Sequence, residues 1–352
     1  MPRCLLITGL VAIVLTARGQ ANPAGEVQPL VEQARQLIVA GDTNGAIEFL
    51  RKALTISPNS PPVNLTLGDL FVQQRRYPEA MERFETVLAI DRRSPQGRQG
   101  ELNAATALAL EAKRAGDQEA ALACLRHARE SLPDDPVLLR DLGIQLFDMH
   151  YLRLAAETLT QAMNLDQNDA ATVYSLARVE AELQQFPPAE KHFNAYLKQR
   201  PDDATAHYGL GHVLQMQQRI DEAKAEFRRS IALQPHQTES YYQLGRIALD
   251  QGSAAEAKPL FERTLSRAPA HGGALAGMGI LAYQAKDYVA ADDWLKRATT
   301  ASPEYQPAHY YLGLTLARLH DKEGSERELK AAVDLAKVQQ GRSAPLPADA
   351  PP

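Results

Sequence analysis

The side chains that most often perform catalysis occur in this chain without the spacing that catalysis requires. The sequence contains no glycine-rich phosphate loop, no HExxH zinc motif and no CxxC pair. His207 and His212 are five residues apart, which places them on different faces of a helix, so they do not suit a shared metal ion. These patterns predict a chain that is not an enzyme, has no metal site and holds no cofactor or small-molecule substrate.

Cysteine usage excludes an internal disulfide in the mature chain. The sequence has two cysteines, Cys4 and Cys124, and Cys4 precedes an apolar leader that we expect to be removed. Cys124 would then be alone, and we interpret it as a small helix residue rather than a reactive thiol.

The charge balance argues against nucleic acid as a partner. The 38 basic and 43 acidic residues give a formal net charge of −5, and the basic residues form no run or patch. Proteins that bind nucleic acid neutralise phosphates with clustered lysine and arginine. We therefore expect protein rather than nucleic-acid partners.

The segment 1–19 is typical of a secretory signal peptide. Arg3 supplies a positive charge, and residues 5–16 are almost uniformly apolar. Cleavage after Gly19 is compatible with the small residues there, and Gly19-Gln20-Ala21 is a second candidate site. A buried first helix is the alternative interpretation. The apolar run is shorter than the ~20 residues that span a bilayer. The pattern predicts an exported protein, periplasmic or secreted and peripheral to the membrane, with a linker over 20–26.

The rest of the chain has a 34-residue period. A Leu/Met–Gly/Ala pair recurs at this interval from Leu142 to Leu312, and an alanine recurs in the same register from Ala155 to Ala291. A fixed period of this length indicates stacked structural repeats rather than a globular enzyme core.

One unit, 204–237, shows the helical pattern inside each repeat. Ala206, Leu210 and Leu214 share one helix face, and Ala223 and Phe227 share the apolar face of a second helix. A polar turn separates the two helices, and Pro235 ends the second because proline lacks an amide proton. The unit is predicted to be an antiparallel helix pair, which must stack on neighbours to bury its apolar face.

This pattern resembles the tetratricopeptide repeat. The resemblance implies an all-α fold, a right-handed α-solenoid of about nine helix pairs over 27–339. It also implies that His207 and His309, at a packing position of the first helix, are partly buried structural residues. The expected units are 27–60, 61–94, 102–135, 136–169, 170–203, 204–237, 238–271, 272–305 and 306–339.

Two segments depart from the repeat. Seven extra residues, 95–101, separate the second and third units, and Ser94-Pro95 is a typical start of a helix. We predict that these residues extend the first helix of the third unit by two turns; Gly97 and Gly100 favour a flexible loop as the alternative. The proline-rich tail, 340–352, is predicted to be disordered.

The resemblance also implies a binding surface. In this family the first helices line a concave groove, and the implied groove residues are Tyr174, Arg178, Tyr208, His212, Tyr242, Arg246 and Tyr310. Tyrosine offers a large contact area and arginine binds carboxylates, so this surface suits an extended peptide with acidic groups or a free C-terminus. Default packing of the tyrosines is the alternative.

Three functions are compatible with these features. The leading hypothesis is an extracytoplasmic, non-enzymatic adaptor that binds a peptide or protein segment in its groove. The second is a structural component of an envelope machine, such as a pilus, outer-membrane or polysaccharide-export assembly. The third is an accessory subunit of a multi-chain enzyme.

Overall fold

The computed structural model describes residues 23–342, and their side chains from residue 25 to residue 338. Eighteen α-helices and no β-strand occur in this part of the chain. The predicted signal peptide, residues 1–19, lies outside it. Contacts between Cα atoms divide the chain into two compact units, one ending at Leu132 and the other beginning at Pro133.

The first unit contains three helix pairs. Each first helix packs on the second helix that follows it, and successive pairs stack side by side. The helices are α1 (Pro23–Val39), α2 (Thr43–Ile56), α3 (Pro61–Gln73), α4 (Tyr77–Ile90), α5 (Pro95–Arg114) and α6 (Gln118–Ser131).

The second unit contains six helix pairs in the same arrangement. The α-solenoid predicted from the 34-residue period is confirmed as stacked antiparallel pairs in each unit. The helices are α7 (Pro136–Asp148), α8 (Leu152–Leu165), α9 (Ala170–Glu182), α10 (Phe186–Gln199), α11 (Ala204–Met216), α12 (Ile220–Leu233), α13 (Thr238–Asp250), α14 (Ala254–Leu265), α15 (Gly272–Gln284), α16 (Tyr288–Ala301), α17 (Gln306–Arg318) and α18 (Lys322–Arg342).

A residue with left-handed backbone closes the turn inside each of the nine described pairs. Gln218 has φ of 62° and Gly252, at the same position of the next pair, has φ of 72°. A left-handed residue after a helix lets the next amide groups bond back to the last carbonyls. Arg219 N accordingly donates to Leu214 O at 3.0 Å. The short polar turn predicted from the sequence has this geometry.

Small residues on the first helices make room for large ones on the second helices. The buried ring of Phe261 lies between Gly245 of its own pair and Gly277 of the next pair. A Cβ on Gly245 would lie 2.8 Å from Cε1 of that ring, closer than packed atoms approach. The repeated Gly/Ala therefore sets how closely the helices approach each other.

One helix end agrees with the prediction for residues 95–101, and two others differ from expectation. The segment 95–101 is helical and forms the first turns of α5, because Ser94 caps the helix by accepting from Gly97 N. α1 begins at Pro23, inside the expected linker, since proline fits the first position of a helix. α18 continues to Arg342, into the expected tail, and Lys337 stands where most other units have a proline after the second helix.

Candidate functional site

The first helices of the second unit form a shared inner face. α7 packs on α9, α9 on α11, α13 on α15 and α15 on α17, whereas the second helices of this unit have no comparable mutual contacts in the described part of the chain. We call the side of the unit on which these first helices lie the inner face. The seven residues that the resemblance implies as groove residues all belong to these first helices.

Tyr174 and Arg178 form the first part of this face. The half-buried ring of Tyr174 packs against Phe193 and Tyr196, with ring centroids 6.0 and 4.9 Å away, and burial raises the pKa of its hydroxyl. Arg178 is exposed, with its guanidinium 4.8 Å from the centroid of Phe147 and 5.8 Å from that of Tyr174. The two aromatic faces hold the guanidinium in place while leaving its N–H groups available.

Tyr208, His212 and Arg246 form the second part. Tyr208 lies 5.9 Å from the ring of Phe227, and burial raises the pKa of its hydroxyl. His212 is half-buried, and its pKa is lowered by burial and by the positive charge of Arg246. The negative charge of Glu182 acts in the opposite direction, but it raises the pKa of His212 by less than burial and Arg246 lower it.

Tyr242 and Tyr310 are the remaining implied tyrosines, and one is buried whereas the other is exposed. Tyr242 is only 8 % exposed, with its ring 4.6 Å from His271 and its hydroxyl 3.4 Å from that of Tyr305. Burial raises its pKa. Tyr310 is 43 % exposed and packs on Tyr311 in a separate aromatic cluster. The row of tyrosines implied by the resemblance, which already has a gap at Ala276, is therefore also interrupted at Tyr242, because that side chain is part of the core.

Arg178 and Arg246 differ from two other arginines of the unit, Arg140 and Arg219, in having no carboxylate partner among the described residues. Arg140 is bound to Asp169 at 3.3 Å, and Arg219 to Glu190 at 2.7 Å. Within the described part of the chain, neither Arg178 nor Arg246 has a carboxylate oxygen within 4.0 Å. Arg246 instead interacts with the Tyr242 hydroxyl. These two cations retain hydrogen-bonding capacity for a ligand.

An open cavity adjoins Tyr174 at the edge of this face. It has a volume of about 920 Å³ and lies where α9 and α11 begin and α10 ends. Tyr196 and Asp203 form part of its wall, and the Tyr196 hydroxyl donates to Asp203 Oδ2 at 2.7 Å. Burial and this bond raise the pKa of Tyr196 to about 12. The cavity is large enough for side chains of a peptide.

Two histidines of the first helices, His207 and His309, make structural contacts. Nδ1 of His207 lies 2.6 Å from Glu226 Oε2, and Nε2 lies 3.0 Å from Pro201 O. His309 makes the same two contacts with Glu328 and Pro303. The expectation of partly buried structural histidines is confirmed. Across residues 23–342, no group of three His, Cys, Asp or Glu side chains is arranged to hold a metal ion.

The remaining cysteine does not have the surroundings of a reactive thiol. Cys124 of α6 is half-buried, and burial raises the pKa of its thiol. Reactive cysteines have a lowered pKa instead, because the thiolate is the nucleophile.

Comparison with known proteins identifies the repeat. Tetratricopeptide repeat models match residues 37–102, 174–238 and 242–306, together more than half of the chain. The chain is a tetratricopeptide repeat protein. Members of this family are generally non-enzymatic scaffolds for protein interactions.

Solved structures share the fold of this tetratricopeptide repeat protein. PilF of Pseudomonas aeruginosa superposes with a TM-score of 0.53 and 18% identity, over 60% of this chain and 96% of that one. PilW, a type IV pilus biogenesis factor, gives 0.53 and 20%, over 58% and 96%. Cut9–Hcn1, an APC/C hetero-tetramer, gives 0.55 and 16%, over 84% and 57%.

A curated relative matches part of this tetratricopeptide repeat protein. BBSome complex member BBS4 of Bos taurus is 26% identical over 164 residues, which are 47% of this chain. The chain spans about a third of the length of BBS4, since the match covers 30% of that protein.

Several residues of the face were not among the implied groove residues. Phe147, Tyr196 and Tyr305 contact the implied tyrosines and arginines from neighbouring helices. The 34-residue period relates equivalent positions of successive units. Phe147 and Tyr305 are not at positions equivalent to those of the residues that they contact, Arg178 and Tyr242. Contacts of this kind depend on how closely neighbouring helix pairs approach, which the period does not give.

Proposed function

We propose that this protein is an extracytoplasmic, non-enzymatic scaffold that binds an acidic segment of a partner protein along the inner face of its second unit. The observation that carries the proposal is the pair of inner-face arginines without a carboxylate partner, Arg178 and Arg246. Two other arginines of the unit, Arg140 and Arg219, are by contrast bound to Asp169 and Glu190. An acidic peptide supplies the missing carboxylates.

The inner face offers both specificity and contact area. A guanidinium binds a carboxylate through two parallel hydrogen bonds, and Arg178 is already oriented by Phe147 and Tyr174. Preorganised side chains lose less entropy on binding. The half-buried rings of Tyr174 and Tyr208 add apolar surface beside the two charges.

The extracytoplasmic location is the part of the proposal that rests on sequence alone. The apolar leader over 1–19 supports it. None of the helices in residues 23–342 has the length and apolarity needed to cross a membrane. Fractionation of cells and N-terminal sequencing of the mature protein test this part: we expect an exported chain that begins after Gly19. A cytoplasmic chain that retains Met1 would contradict it.

A crosslinked pull-down tests binding at the inner face. Wild type is compared with Arg178→Ala/Arg246→Ala, and Arg228→Ala, an exposed arginine of the outer helix α12, is the matched control. We expect the double variant to lose its partner, since a hot-spot arginine contributes about 2 kcal/mol or more. The control should retain it. Tyr242 is left intact because it belongs to the core.

The same experiment separates the proposal from a structural role in an envelope assembly. Partners that survive the double substitution and sediment with the membrane fraction would indicate that the outer helices make the contacts. Equal recovery of partners by wild type and the double variant would overturn the inner-face proposal.

A further inference from the structure

A glutamate occupies a leucine position in the core of the first unit. In the second unit, a buried Leu or Met follows each core phenylalanine at i+17: Leu210 follows Phe193, Leu244 follows Phe227 and Met278 follows Phe261. The same interval counted from Phe84 leads to Glu101. The structural register agrees, because Gly100 contacts the ring of Phe84 as Gly277 contacts the ring of Phe261. The seven inserted residues thus bring Glu101 to the place of the core leucine.

The Glu101 carboxyl group is buried without a hydrogen-bonding partner. The residue is 0 % exposed, and neither carboxyl oxygen has a hydrogen-bond partner. Burial, together with the nearby charge of Glu85, raises the pKa of Glu101 to about 8. A neutral carboxylic acid can be accommodated here, whereas an ionised carboxylate loses its hydration with nothing to replace it.

The surrounding charges do not compensate an ionised Glu101. Three helices of the first unit pack on α5. α4 contributes Glu85, which is a second negative charge. α6 contributes His127, and its Nε2 lies 2.7 Å from Glu85 Oε1. The one charged residue of α3 is Asp69, which is exposed. The imidazole of His127 therefore faces Glu85, while Glu101 has no cation of its own.

We propose that Glu101 is the proton-binding residue of a latch. Its protonated carboxyl keeps residues 95–101 packed on α4, and loss of the proton to water releases these two turns of α5. The close contacts of Gly97 with Val87 and Leu88, and of Gly100 with Phe84, are the ones that open. Ser94, which caps α5, marks the start of the released segment.

The direction of the pH effect follows from the raised pKa. Between the ordinary pKa of a glutamate, about 4.3, and the value of about 8 in the packed state, the packed state holds one proton more than the open state. Packing is therefore most stable at acidic pH. It weakens by up to about tenfold in equilibrium constant for each pH unit in this interval, and the effect ends above pH 8.

Amide hydrogen exchange of the full chain from pH 5.5 to pH 8.5 tests the latch. In wild type we expect the protection factors of residues 97–101, corrected for intrinsic exchange, to fall by up to about tenfold per pH unit below pH 8. In Glu101→Leu, which restores the repeat pattern, protection should be higher and independent of pH. Glu101→Gln, which keeps the shape and removes the charge, should also be independent of pH.

Two further measurements distinguish the latch from other titrating groups. Carbon NMR of the Glu101 carboxyl should show it titrating far above an exposed glutamate. Glu85→Gln should move that titration to lower pH by removing a like charge. A wild-type protection that does not change with pH, or one that changes equally in Glu101→Leu, would overturn the proposal. Neither result bears on the inner face of the second unit.

Discussion

The ring of Phe84 occupies the space that a side chain on Gly68 would need. A Cβ built on Gly68 would lie 2.7 Å from Cε1 of Phe84, closer than real Cβ atoms approach. We expect Gly68→Ala to lower the free energy of unfolding by about 1–3 kcal/mol, because the overpacked ring must leave its preferred position. Chemical denaturation followed by circular dichroism measures the change.

The matched control for this substitution lies on the same helix. Gln73 of α3 is exposed, so Gln73→Ala should change the free energy of unfolding by no more than about 0.5 kcal/mol. If both variants were equally stable, the absence of a side chain at Gly68 would not be what allows α3 to approach Phe84 of α4.

Alanine substitution should destabilise the fold much more at Tyr242 than at Arg178. We expect Tyr242→Ala to cost about 3–5 kcal/mol of unfolding free energy, because its ring is buried against Phe261 and His271. Arg178→Ala should cost less than about 1 kcal/mol, since only its aromatic contacts are lost. Denaturation and peptide-binding measurements on both variants check this. A large loss of stability in Arg178→Ala would remove it as a clean probe of binding.

His207 should contribute to stability through both ring nitrogens. Removing the imidazole in His207→Ala leaves Glu226 and the Pro201 carbonyl without this donor, and we expect a cost of about 1–3 kcal/mol. His236 is exposed and serves as the control. His236→Ala should be nearly neutral in thermal unfolding. Similar melting temperatures for the two variants would show that the hydrogen bonds of His207 make no net contribution to stability.

Glu239 should make the second unit sensitive to acid. The hydrogen bond from His271 lowers the pKa of Glu239, so the folded state releases this proton more readily than the unfolded state. The stabilisation is present above the ordinary glutamate pKa and is lost as pH falls through the lowered value. Denaturation at pH 6 and pH 3 should show wild type losing more stability than Glu239→Gln. An equal loss in both would assign the acid sensitivity to other carboxylates.

Much of the fold could be predicted from local patterns. The 34-residue spacing of Leu210, Leu244 and Leu312 predicts stacked helix pairs, because a period of this length requires each pair to repeat the same contacts. Ser94 and Pro95 predict the early start of α5, because helix capping depends only on residues within one turn. The inner-face positions of Tyr174 and Arg178 follow from the family resemblance and helical spacing.

Packing between pairs decided the rest. The sequence by itself determined that helices form, where most of them begin and end, and which face of each is apolar, since these properties depend on neighbours within a few residues. Only the tertiary structure decided that Tyr242 is buried while Arg178 remains available, and that Glu101 replaces a core leucine. The physical reason is that burial and charge compensation depend on side chains from adjacent helices, whose approach is set by small residues such as Gly68 and Gly100.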